Sequence, residues 1–158
     1  MKEKSNRLVL HGLDVVAERI NKVRQKNIYD QLYVASATQI PVPDNRYDAV
    51  VAGEFIEHIA PDDLDQVIAE LCRVLTSGGM LLLTTPNPLS ILVRLGRDAV
   101  LKDPSHLSIL RIGELKQKMQ TAGFKNLVVR GSGKATRVFG EHFPIMSVYG
   151  SYLILGEK

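Results

Sequence analysis

Apolar positions along the chain switch repeatedly between a strand-like and a helix-like period. Leu8-Val-Leu-His-Gly-Leu13 reads as a buried strand that stops at Asp14, after which Ala17, Ile20 and Val23 recur at helical spacing through Lys26. Gln31 to Ser36 is a second short strand, and Pro41-Val-Pro43-Asp44-Asn45 is a turn whose prolines forbid continued pairing. Ala49 to Gly53 makes a third strand. Pro61-Asp62-Asp63 opens a helix with Leu64, Val67, Ile68, Leu71, Val74 and Leu75 on one face, its acids suited to the helix N-terminus and Gly78 to its end. Met80 to Thr84 is a fourth strand, Gly113 to Ala122 a helix closed by Gly123, and Leu127–Arg130 and Tyr152–Leu155 two further strands.

Strands alternating with helices predict one α/β domain over residues 1–158 with a mainly parallel sheet. The last two strands have no helix between them, so an antiparallel C-terminal edge is expected. Leu89 to Asp103 reads as an amphipathic insertion, with Ile91, Leu92, Leu95, Val100 and Leu101 among Arg94, Arg97 and Lys102, suited to a lid or a partner surface. Residues 131–150 read as a mobile loop over the same sheet edge.

Composition narrows the classes. At 158 residues the chain has the size of one domain, and 45% hydrophobic with 23% charged residues is ordinary for a globular protein. No apolar run is long enough to span a membrane, and the polar start Met1-Lys-Glu-Lys-Ser-Asn-Arg7 does not read as a signal peptide. The formal charge of +3 is spread among acids, which argues against nucleic acid as a partner. A single cysteine, Cys72, falls on or beside an apolar helix face, so no internal disulfide forms and a cytoplasmic location is expected.

The candidate chemistry lies where strands end, which is where open α/β sheets bind ligands. Glu54-Phe-Ile-Glu57-His58 follows the third strand directly, and Thr84-Thr-Pro86-Asn87 closes the fourth. Asn87 suits a turn or a substrate contact, His11 a satisfied core position, and His142 a loop.

In this order and spacing, Leu10 to Ile20, Ala35-Ser36-Ala37, Tyr47 to Ile59, Leu71 to Leu75, Gly78 to Asn87 and Asp103-Pro-Ser-His106 before Ala122-Gly123-Phe124 resemble the class I S-adenosylmethionine-dependent methyltransferases. The resemblance implies a Rossmann-like sheet, S-adenosylmethionine as cofactor, and methyl transfer to a small-molecule or lipid-like acceptor at oxygen. It assigns Asp14 to the cofactor's ribose hydroxyls, Ser36 and Ala37 to the adenine, Gly53 and Glu54 to the methionine end, and His58 to the catalytic base. Glu54, Glu57, His58 and His106 are similar to the set that holds a divalent ion in some O-methyltransferases. A helical turn starting at Glu54 would bring the first three together. The chain departs from the family at its start, where the first strand and the Gly-rich cofactor turn have no counterpart, so the domain reads as truncated at its N-terminus. Three arrangements remain open: the strand ending at Asp14 pairs with the one ending at Gly53, a second copy in a homodimer fills the gap, or the chain is a piece of a longer protein. A non-catalytic relative that serves as an interaction or regulatory module is the competing function.

Overall fold

A computed structural model describes residues 8–96, 103–133, 135–142 and 144–158. The chain divides into two compact units, residues 1–41 and 42–158.

The first unit is a strand–helix–strand. β1 (His11–Asp14) pairs in parallel with β2 (Gln31–Val34), His11 opposite Gln31 and Asp14 opposite Val34, and α1 (Ala17–Arg24) connects them. The expected strand from Leu8 starts three residues late. Leu10 is held in a loop by its N–H bond to Asp30 Oδ2, and Leu8 and Val9 stay exposed instead of buried. Of the helical positions Ala17, Ile20 and Val23, only Ile20 is fully buried.

The second unit carries a mixed sheet in the order β3-β4-β6-β5, from β3 (Tyr47–Gly53), β4 (Leu75–Pro86), β5 (Lys125–Ser132) and β6 (Ser151–Glu157). β3 and β4 are parallel, and β6 runs antiparallel between β4 and β5. The antiparallel character matches expectation, but β6 lies inside the sheet and β5 at its margin. Short helical turns, including α5 (Thr136–Phe139), separate the two, and β5 reaches Ser132, so the stretch read as a loop from residue 131 begins within a strand. Among the described residues the partner of β1 is β2.

α2 (Leu64–Val74) follows a single turn of 3-10 helix at Pro61–Asp63, and it packs Leu64, Val67, Ile68, Leu71 and Val74 into the core. α2 packs against β4 and against α4 (Ile112–Thr121), and Leu81 and Leu83 of β4, Ile154 of β6, and Leu115 and Met119 of α4 have no exposed surface. The helix ends at Val74 rather than Gly78, because Leu75 already pairs with Tyr47 of β3 and belongs to the sheet. Lys158 fixes this junction: its Nζ donates to the carbonyls of Arg73 (3.0 Å) and Leu75 (2.7 Å) and to Asn45 Oδ1 (2.9 Å). A cation on the last carbonyls of a helix is favoured by the helix dipole. Lys158→Met keeps the apolar stem and removes the donors, an expected loss of about 1.5–3 kcal/mol. At roughly 2–4 °C per kcal/mol for a chain of this size, calorimetry will show the unfolding midpoint falling accordingly.

The amphipathic insertion at 89–103 is described at 89–96, where α3 (Ile91–Arg94) follows β4, and at Asp103. Arg97, Val100, Leu101 and Lys102 lie outside the described residues. Among the described residues no helix is long and apolar enough to cross a membrane.

Candidate active site

β3 ends in a strained corner. Glu54 adopts φ +44°, a region that non-glycine residues seldom occupy, and its N–H donates to both the carbonyl (3.0 Å) and the hydroxyl (2.9 Å) of Thr84 on β4. Such corners concentrate at ligand sites. The chain then makes one turn of 3-10 helix at Ile56–His58, which buries Ile56 and Glu57 completely and leaves His58 exposed.

The backbone of Glu57 recruits the distant part of the site. Its carbonyl accepts the N–H groups of Leu107 (2.7 Å) and Ser108 (3.0 Å), which brings residues 103–108 against the end of β3. Asp103 shapes that segment by accepting from the Ser105 N–H (2.9 Å) and hydroxyl (2.7 Å), and these bonds hold its carboxyl below its ordinary range. His106 thereby meets His58, ring centres 4.9 Å apart and planes tilted by 64°. His58 Nδ1 lies 3.1 Å from the Ser105 carbonyl. A carbonyl only accepts, so Nδ1 carries the proton and Nε2 keeps a free lone pair.

Ligand atoms of Glu57, His58 and His106 fall within 4.8 Å of one another. Glu57 Oε2 receives the Thr85 hydroxyl at 3.3 Å, whereas Oε1 is buried with no partner among the described residues. Burial is the main cause that pushes this carboxyl above its ordinary pKa, with the charge of Glu54 adding to it and His58 opposing. A carboxylate with one orphaned oxygen beside two imidazoles is a donor set that fits magnesium, manganese or zinc. Glu54 is not part of this group. The turn starts at Ile56, not at Glu54, so the expected alignment of Glu54 with Glu57 and His58 fails, and Glu54 acts on Glu57 only through its charge.

In the first unit Asp14 Oδ1 accepts the Val16 N–H (2.8 Å) just before α1, and Oδ2 lies 3.6 Å from Arg19. Ser36 Oγ contacts Thr38 Oγ1 (2.7 Å) in a tight turn, and Ala37 beside it is buried. Gly53 does not have positive φ, and a Cβ there would make only an ordinary contact with Thr84. Asn87 is structural: it is 1% exposed, its Nδ2 donates to the carbonyls of Met146 and Tyr149 (both 3.0 Å), and its Oδ1 accepts from Leu89. Sequence reasoning missed Thr85, whose hydroxyl holds Glu57, and Ser108, buried with an unpartnered Oγ among the described residues. A threonine closing an apolar strand was the available signal for the first; none marked the second.

A sequence model described as "Methyltransferase domain" matches residues 3–83, just over half of the chain. The chain belongs to the S-adenosylmethionine-dependent methyltransferase family. It is 34% identical over 114 residues to a probable S-adenosylmethionine-dependent methyltransferase of Mycolicibacterium smegmatis, covering 72% of this chain and 42% of that protein. It is 36% identical over 95 residues to the demethylmenaquinone methyltransferase of Deinococcus radiodurans, covering 57% of this chain and 39% of the relative. The chain thus spans about two-fifths of the length of the curated relatives it matches. Among solved structures, a SAM-dependent methyltransferase from Archaeoglobus fulgidus superposes with a TM-score of 0.71 at 19% identity, covering 94% of this chain and 75% of that one. A Thermotoga maritima structure described as a possible histamine N-methyltransferase gives 0.73 at 19% identity, covering 94% and 72%. These likenesses establish the Rossmann-like methyltransferase fold.

Proposed function

We propose that this chain carries S-adenosylmethionine-dependent methyl transfer to a hydroxyl oxygen of a small-molecule or lipid-like acceptor. Support for oxygen comes from the Glu57–His58–His106 cluster at the end of β3, since a base is needed where an alcohol must lose its proton. The sequence match over residues 3–83 crosses the boundary at residue 41, which supports reading both units as parts of one domain.

Asp14, Ser36, Ala37, Gly53 and Glu54 are proposed as cofactor-binding positions on the family resemblance alone. Asp14 suits the part: a carboxylate has about four acceptor sites, and one is taken by the Val16 N–H. When bound, the cofactor supplies an activated methyl group on a positively charged sulfur. His58, held through Nδ1 by the Ser105 carbonyl, would take the acceptor's hydroxyl proton at Nε2. In the second reading of the same cluster, Glu57, His58 and His106 hold a divalent ion, His58 through Nε2; the ion would then lower the pKa of the hydroxyl and His58 would be a ligand in place of the base.

Thermal shift with S-adenosylmethionine and with its demethylated product tests the reading. At a hundred times the dissociation constant a ligand adds about 2.7 kcal/mol, a rise of roughly 5–10 °C. Asp14→Asn retains the bond to Val16 and removes the charge, so it is expected to abolish most of the rise while leaving the unliganded midpoint close to that of the wild type. No rise for the wild type at millimolar cofactor sinks the enzyme reading and favours a non-catalytic interaction module.

A further inference from the structure

We propose that Asp103 is a positioning residue for the site: it fixes the peptide unit between Ser105 and His106, and through that unit the tautomer and rotation of the His58 ring.

The unit is gripped on one side and used on the other. A trans peptide points its C=O and N–H in opposite directions, and the described residues contain no cis peptide bond. The His106 N–H donates to the Asp103 carbonyl at 3.0 Å, while the carbonyl of the same unit, that of Ser105, lies 3.1 Å from His58 Nδ1. The Asp103 carboxylate holds the preceding residue as well, because its Oδ1 accepts both the Ser105 N–H (2.9 Å) and the Ser105 hydroxyl (2.7 Å). Three bonds to one residue therefore set this peptide plane, and its far end is the acceptor that decides which nitrogen of His58 carries the proton. The His106 ring hangs on the same unit and meets His58 with ring centres 4.9 Å apart.

An aspartate that bonds the residue two places on is an ordinary way to shape a loop. Two observations give Asp103 a further part. The segment has a separate anchor, since the Glu57 carbonyl accepts the N–H groups of Leu107 (2.7 Å) and Ser108 (3.0 Å) and ties them to the end of β3 without Asp103. His58 is exposed, so packing restrains its ring little and the bond to Ser105 sets its rotation. A Ser105 carbonyl free to turn would release the ring to water. The value of Asp103 for methyl transfer rests on His58 serving that reaction, as base or as ligand. The tautomer itself can be observed with no cofactor, ion or acceptor present.

Long-range proton–nitrogen correlation spectra of the chelator-treated, cofactor-free chain test this at about pH 8.5, above the ordinary imidazole range. Loss of one set of ring signals in His58→Gln assigns them. The wild type is expected as the Nδ1–H tautomer, with Nε2 unprotonated. Asp103→Ala should shift the His58 signals to the averaged or Nε2–H pattern of a solvated imidazole, while the Leu107 and Ser108 amides keep their protection from hydrogen exchange. Asp103→Asn, whose Oδ1 can accept both Ser105 donors, should retain the wild-type pattern. Four results overturn the proposal: an Nε2–H wild type, an Asp103→Ala spectrum equal to the wild type's, loss of amide protection at Leu107 and Ser108 along with the tautomer, or an Asp103→Asn spectrum as altered as that of Asp103→Ala. If Asp103→Ala fails to fold, Asp103→Glu, which keeps the charge and displaces the acceptor atom, decides in its place. A wild type that binds no cofactor leaves these spectra as they are and so counts against the enzyme reading alone.

Discussion

Gly131→Ala is expected to lower stability by about 3 kcal/mol and the unfolding midpoint by roughly 6–12 °C. A Cβ at this position in β5 would lie 2.2 Å from two atoms of the Tyr149 ring, well inside any tolerable contact. The ring has no room to retreat. Tyr149 is fully buried, its hydroxyl donates to the Gly140 carbonyl, and its own carbonyl is held by Asn87. The strand cannot give either, because Gly131 is paired with Tyr152 and its N–H donates to Glu141. The substitution must therefore displace the aromatic ring that anchors the chain between β5 and β6. Calorimetry measures the loss, and Gly131→Ala combined with Tyr149→Ala should be less destabilised than the sum of the two single changes, because the clash is between these two residues. Strict additivity would show that the contact is not the cause.

Glu57→Gln is expected to stabilise the chelator-treated protein at neutral pH and to abolish binding of a divalent ion. The folded state raises the pKa of Glu57, chiefly by burial, so between the ordinary glutamate value and the raised one the folded protein holds more protons than the unfolded chain. In that window stability falls as pH rises, and above it the full penalty of a buried charge persists. Glutamine removes the charge and still accepts the Thr85 hydroxyl. The variant should melt several degrees above the wild type at about pH 7, with the gap closing toward about pH 4, where both side chains are neutral. Manganese titration by calorimetry supplies the second half: heat of binding for the wild type, none for the variant. Equal melting at both pH values would refute the electrostatic account, and unchanged manganese binding would remove Glu57 from the ion site.

The same residues show how far the sequence could be read. α2 was legible because its apolar positions recur with one period along a single face, but its end was not. Gly78 is a plausible stop by composition, whereas the helix is cut at Val74 by the pairing of Leu75 with Tyr47 and by the grip of Lys158, contacts made across the fold. At the candidate site, Glu57 and His58 are neighbours in the chain and were visible as such. His106 arrives because the Glu57 carbonyl takes two N–H groups from the segment that carries it, which no local pattern records; only the family resemblance pointed there. Glu54 was misplaced by the start of one turn. A helix beginning at Glu54 and a tighter turn beginning at Ile56 have similar local signals, and the choice is made by the bonds that the Glu54 N–H donates to Thr84, with Glu54 at positive φ.

The bond from His58 to the Ser105 carbonyl fixes how the imidazole stands at the end of β3. The Nδ1 proton occupies the Ser105 carbonyl, which holds the ring in one orientation with Nε2 on its opposite side. Whatever approaches Nε2 meets a ring already oriented by its other nitrogen.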